Sequence, residues 1–180
     1  MTDEKDKEAL RQRVAKQIEE AFADTPYPRD NNIGSTDRDD DRDIELALRG
    51  QHWREITLEA IFEYRGHLPF LTPNALQFYL PAFMLATLNH YSEVDTLSSN
   101  LIFMLAPPGE ENDEFSAYFL ARASRFNRAE QAAILAFLET YFPLYPEYFA
   151  YGEWESPYKA LLEDAIMFWK NKLAAASDAG

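Results

Sequence analysis

An all-α fold, a single irregular bundle of about seven or eight helices around a proline-kinked central helix, is predicted by three features of this sequence. Apolar residues recur at helical spacing in segment after segment. The strand-favouring residue valine appears only twice, and no Asn-Gly or Asp-Gly hairpin pair is present. Hydroxyl-proline pairs and glycines fall where helices should start and stop.

Taken in order, Leu10, Val14, Ile18 and Phe22, with Ala21 beside them, place one apolar stripe on a polar first helix. That helix should end near Ala23, ahead of Pro26 and Pro28. The polar stretch from Thr25 to Thr36 reads as a mobile linker. Residues 1–36 are therefore expected to form an N-terminal amphipathic helix with its linker. Residues 37–174 form the helical core, and 175–180 a frayed tail. A second helix begins near Asp37 on Ile44, Ala47 and Leu48, with Gly50 suited to a left-handed C′ stop. Trp53, Ile56, Ala60, Ile61 and Tyr64 continue the period as a third helix, and Gly66 ends it.

Thr72-Pro73 combines a hydroxyl N-cap with proline at the first helical position. The helix it opens runs to about His90 and is apolar on nearly every face, which makes it the central one. Pro81 lies inside it, lacks an N–H and crowds the Gln77 carbonyl, so a kink or break is expected. Leu97, Leu101, Met104 and Leu105 mark a fifth helix closed by Pro107-Pro108-Gly109. The acidic loop with Glu110, Glu111, Asp113 and Glu114 leads to a short helix around Phe115, Tyr118 and Phe119. Asn127 with Glu130 forms a capping-box pair before Ile134, Phe137, Leu138 and Tyr141. Ser156-Pro157 opens the last helix on Tyr158, Leu161, Leu162, Ala165 and Trp169.

Composition narrows function mainly by exclusion. A chain of 180 residues suits one domain. Without cysteine it has no disulfide, thiol nucleophile or thiolate metal site. The first residues carry no apolar run after their charges, so no secretory signal is read, and a cytoplasmic location is expected. The most apolar stretch, Ala75 to Leu88, falls short of the roughly 20 residues a bilayer span needs. A net charge of −14 disfavours nucleic acid and anionic membranes as partners and favours a basic protein.

The run Phe70-Leu71-Thr72-Pro73-Asn74-Ala75-Leu76-Gln77-Phe78-Tyr79-Leu80-Pro81-Ala82-Phe83 resembles the signature of a family of small bacterial helical proteins classed as a domain of unknown function. Trp53 upstream, Phe126-Asn127 and Phe137-Leu138 downstream extend the resemblance over about residues 37 to 142. It implies kinship and no particular chemistry.

Asp37, Asp39 and Asp41 match the first calcium-loop positions, but Arg42 and Leu48 stand where glycine and a bidentate glutamate are needed. The acidic run Asp37–Glu45 instead suits a helix N-terminus. Glu59, Glu63 and His67 would share one helix face, yet no second acidic helix with a Glu-x-x-His pair exists. His52, His67 and His90 lack zinc-ligand spacing, and His90 with Ser92 forms no credible dyad. No catalytic residue, metal ligand or cofactor is expected. From Tyr141 to Trp154 the connector is rich in aromatics, suited either to covering the core or to binding. The leading expectation is an acidic protein-interaction module of inhibitor, immunity or adaptor type. Its contacts would come from Asp39, Asp41, Asp43, Tyr145, Tyr148 and Trp154. The alternative is a small-ligand protein or enzyme with a pocket beside Pro81, lined by Glu59, Glu63 and Tyr79.

Overall fold

Helix is the dominant structure throughout the computed structural model, which describes residues 4–35, 39–94, 96–109, 113–146, 150–151, 154–155 and 157–178. The order is α1 (Glu4–Ala21), α2 (Asp39–Leu48), α3 (Leu58–Glu63), α4 (Pro73–His90), α5 (Leu97–Leu105), α6 (Asp113–Ala123), α7 (Arg128–Glu139), α8 (Tyr141–Leu144) and α9 (Pro157–Asp178). Two 3-10 turns, Trp53–Glu55 and Leu68–Phe70, flank α3. Ala150–Tyr151 and Trp154–Glu155 pair as a short antiparallel ribbon, β1 and β2.

Helix α4 is the hub, buried from Ala75 to Met84 and again at Ala86 to Leu88, and it contacts α1, α3, α5 and α6. Thr72 starts it as its sequence requires: its hydroxyl accepts the Ala75 N–H at 3.1 Å. The helix continues unbroken through Pro81. Proline costs a helix interior about 3 kcal/mol, but burial on all sides holds these residues helical. Helix α7 bridges α1 and α9, and α9 also packs on α5.

The third helix departs from the expectation. Its pattern is split into the 3-10 turn at Trp53–Glu55 and α3, with Ile56 extended between them. Two side chains cause the split by bonding backbone N–H groups that a continuous helix would use internally. His52 accepts from the Arg54 N–H at 3.2 Å, and Thr57 accepts from the Ala60 N–H at 3.2 Å. Gly50, with φ 71°, sits in the left-handed region just after α2, the stop its position predicts.

The N-terminal segment is built into the same core. Val14, Ile18, Phe22 and Ile33 are buried with the residues of α4. The stretch read as a mobile linker is tied down near its end. The Ser35 N–H donates to the Phe70 carbonyl at 2.8 Å and the Thr72 N–H to the Ile33 carbonyl at 2.9 Å. The Thr72 hydroxyl also donates to the Asn32 carbonyl at 2.7 Å. At the other end, α9 stays helical through Asp178, beyond the point where a frayed tail is expected. Among the described residues no helix is long and apolar enough to cross a membrane.

Candidate functional site

Helix α6 carries Phe115, Tyr118, Phe119 and Arg122 at positions i, i+3, i+4 and i+7, one face of a helix. Phe119 points inward and meets the Phe168 ring of α9 edge-on at 4.9 Å. Its neighbours on that face line an open groove of about 400 Å³. Phe103, Met104 and the Ala106–Gly109 exit of α5 line one wall, and Pro69, Phe115, Tyr118, Arg122 and Leu161 complete the lining. The diprolyl turn keeps this wall extended, because Ala106 already leaves the helix with ψ 142° and neither proline can donate a backbone N–H. Phe103 is 68% exposed, Phe115 63% and Tyr118 42%, a concentration of large exposed aromatic side chains around one groove.

Arg122 is the polar feature of this groove. It is only 4% exposed. Its Nη2 donates to the Pro69 carbonyl at 2.5 Å and the Leu71 carbonyl at 2.6 Å, and also to the Tyr118 hydroxyl. The Tyr118 ring lies over the guanidinium, 3.9 Å from its carbon, and its hydroxyl donates to the same Pro69 carbonyl. The Arg122 Nε–H has no hydrogen-bond partner. No carboxylate among the described residues pairs with the cation. Burial pushes its pKa below the ordinary arginine value, although a guanidinium stays protonated at neutral pH. A buried charge held only by neutral acceptors is costly, so its place beside an open apolar groove calls for a reason.

The residues expected to bind a partner fall elsewhere. Asp43 is exposed on α2. Asp39 and Asp41 belong to the backbone of that helix, and their side chains lie outside the described residues. Tyr148 lies outside them too; Trp154 pairs with Tyr151 in the ribbon through its backbone, its side chain not being described. Tyr145 is 4% exposed, stacked on Tyr91 at 3.7 Å, with its hydroxyl donating to the Thr87 carbonyl at 3.2 Å. Tyr141 is buried beside it and donates to the Ser98 carbonyl at 3.3 Å. The start of the aromatic connector thus covers the core.

Beside the C-terminal half of α4 there is a cleft of about 480 Å³, but Glu59, Glu63 and Tyr79 do not line it. Glu59 and Glu63 are exposed, and α3 ends at Glu63, short of His67. Tyr79 is buried and donates to the Leu48 carbonyl at 2.7 Å. The cleft's polar lining is Glu19, Arg54, Asn89 and His90 instead. Among the described residues no group of three histidines or carboxylates could hold a metal ion. His90 Nδ1 lies 2.9 Å from the Glu93 carboxylate.

The groove leaves no continuous mark in the sequence, because it is assembled from segments near residues 69, 103–109, 115–122 and 161. One signal was available. Arg122 occupies the i+7 position of an aromatic stripe, where an apolar residue belongs. A family model described as "Family of unknown function (DUF6714)" matches residues 10–173. That span takes in most of α1 and most of α9, beyond the region that the motif alone marks. No curated protein and no solved structure matches the chain.

Proposed function

We propose that this chain, which belongs to that family of unknown function, is an acidic protein-interaction module that docks an apolar segment of a basic partner in the groove between α5 and α6. The exposed aromatic lining, Phe103, Phe115 and Tyr118 around a groove of about 400 Å³, carries the reading. Aromatics placed around a concavity are the usual anchors of protein recognition. Charge favours a basic partner: the net charge is −14, and the acidic run Glu110, Glu111, Asp113, Glu114 lies in sequence between groove residues Gly109 and Phe115.

The cleft beside α4 supports a small-ligand reading less well. Among the described residues its one buried donor without a partner, Trp53 Nε1, belongs to a side chain that is 2% exposed and has Arg54 laid over its ring at 4.1 Å.

The test uses a fluorescein-labelled heptapeptide of three lysines, a glycine and three leucines, followed by anisotropy. Saturable binding should weaken as salt rises from roughly 50 to 500 mM, as expected for partly screened charges. It should also weaken at least about tenfold, or 1.4 kcal/mol, in a Phe103→Ser, Phe115→Ser double variant. Both phenylalanines are exposed, so the fold should survive. A peptide with serines in place of the leucines should not bind. Equal binding by the double variant, or no saturable binding at all, overturns the proposal.

A further inference from the structure

We infer that the groove receives the C-terminal end of its partner, with the terminal α-carboxylate placed on Arg122. This rests on the docking reading above and adds what the groove recognises.

Arg122 is a cation with no carboxylate partner among the described residues. Arg122 is almost wholly buried, its Nε–H lacks an acceptor, and its recorded partners are two backbone carbonyls and a tyrosine. It lines a groove whose other walls are mostly apolar: Phe103, Met104, Pro107, Phe115 and Leu161. An apolar ligand alone would bury the cation further and leave it unneutralised, which is unfavourable. A ligand bearing one carboxylate at the end of an apolar stretch satisfies both features at once. Arginine is the side chain best matched to that anion.

Tyr118 provides the route. Its side chain is partly exposed, its ring covers the guanidinium, and its hydroxyl occupies Nη2. A carboxylate is a stronger acceptor than a phenol and would take its place. The sign of the surroundings then sets the sequence of the partner. A cation inside the groove and a net charge of −14 on the chain favour an apolar C-terminal residue with basic residues upstream. A peptide amide, or an internal segment, would present no charge to Arg122.

The probe is the same lysine–leucine heptapeptide, made once with a free C-terminal carboxylate and once as the amide, each titrated against the native chain. The free acid should bind about 10- to 100-fold more tightly, the range for one hydrogen bond to a charged group. Equal affinities overturn the inference while leaving the docking reading intact. If neither peptide binds saturably, both fall. In Arg122→Gln the two peptides should converge to the affinity of the amide, with circular dichroism verifying the fold. If that variant does not fold, the peptide pair on the native chain still decides. A persisting preference for the free acid in folded Arg122→Gln assigns the carboxylate to another group and also overturns the inference.

Discussion

Replacing Glu130 by alanine should cost about 3–5 kcal/mol of folding stability, a large fraction of the 5–15 kcal/mol typical of a domain. Glu130 is fully buried, and its carboxylate accepts three hydrogen bonds. One comes from the Thr25 hydroxyl at 2.5 Å, a second from Gln77 Nε2 at 2.8 Å, and a third from the Asn127 N–H at 2.8 Å. It thus joins the segment after α1, the central helix and the start of α7. A bond to a charged group contributes about 1.5–3 kcal/mol, and a stranded buried donor costs about 1–3 kcal/mol. Alanine removes all three acceptor contacts and strands the buried Gln77 Nε2, while the part-buried Asn127 N–H is open to water. The Thr25 hydroxyl is only partly buried and can turn to water.

Glutamine provides the control. Its oxygen can accept from Gln77 and Asn127, and its amide can donate to the Thr25 hydroxyl, which reverses. The loss should then be about 1.5 kcal/mol or less. The assay is urea unfolding followed by tryptophan fluorescence and far-UV circular dichroism, compared at constant denaturant slope. An alanine cost below about 1 kcal/mol, or a glutamine cost equal to alanine's, refutes the proposed three-way junction.

Further outcomes follow from other local features. Thr72→Ala removes the α4 N-cap and the bond to Asn32, and should cost about 1–2 kcal/mol in the same unfolding assay. Burial, with Tyr27 adding to it, raises the pKa of Tyr79 above the usual tyrosine range, so its neutral form is favoured in the fold. Its contribution is complete below about pH 10 and lost as pH rises beyond that, by up to about 1.4 kcal/mol per pH unit. Tyr79→Phe should be less stable at neutral pH but show a shallower loss in alkaline urea titrations. Far-UV circular dichroism of the whole chain should give more than about 55% helix. Millimolar calcium or zinc should leave the melting temperature within about 2 °C, since a ligand that binds only the native state would raise it.

What was legible in the sequence was local. Thr72-Pro73, Asn127 with Glu130 and Gly50 each mark a boundary by chemistry within four residues, and each forms in the structure. The burial of α4 was readable because its apolar residues leave no polar face. What was hidden depends on residues far apart in sequence. The capping box predicts Glu130 bonding to Asn127, but not its contacts with Thr25 and Gln77 across the fold. Periodicity alone joined Trp53 to Tyr64, and missed that Thr57 and His52 would compete for the backbone. Aromatic enrichment pointed to Tyr145, whose ring and hydroxyl both find partners inside. Phe103 and Phe115 are largely exposed, and periodicity within one helix does not say which of its faces a distant element covers.

Hydrogen–deuterium exchange of the native chain, with and without the free-acid lysine–leucine peptide, tests the central claim most directly. The docking account predicts slowed exchange in the second half of α5 and the first turns of α6, flanking Phe103, Phe115 and Tyr118. It predicts no change in α2 around Asp43 or in the connector after Tyr141. Protection confined to α2 or to that connector, with α5 and α6 unaffected, would contradict the account.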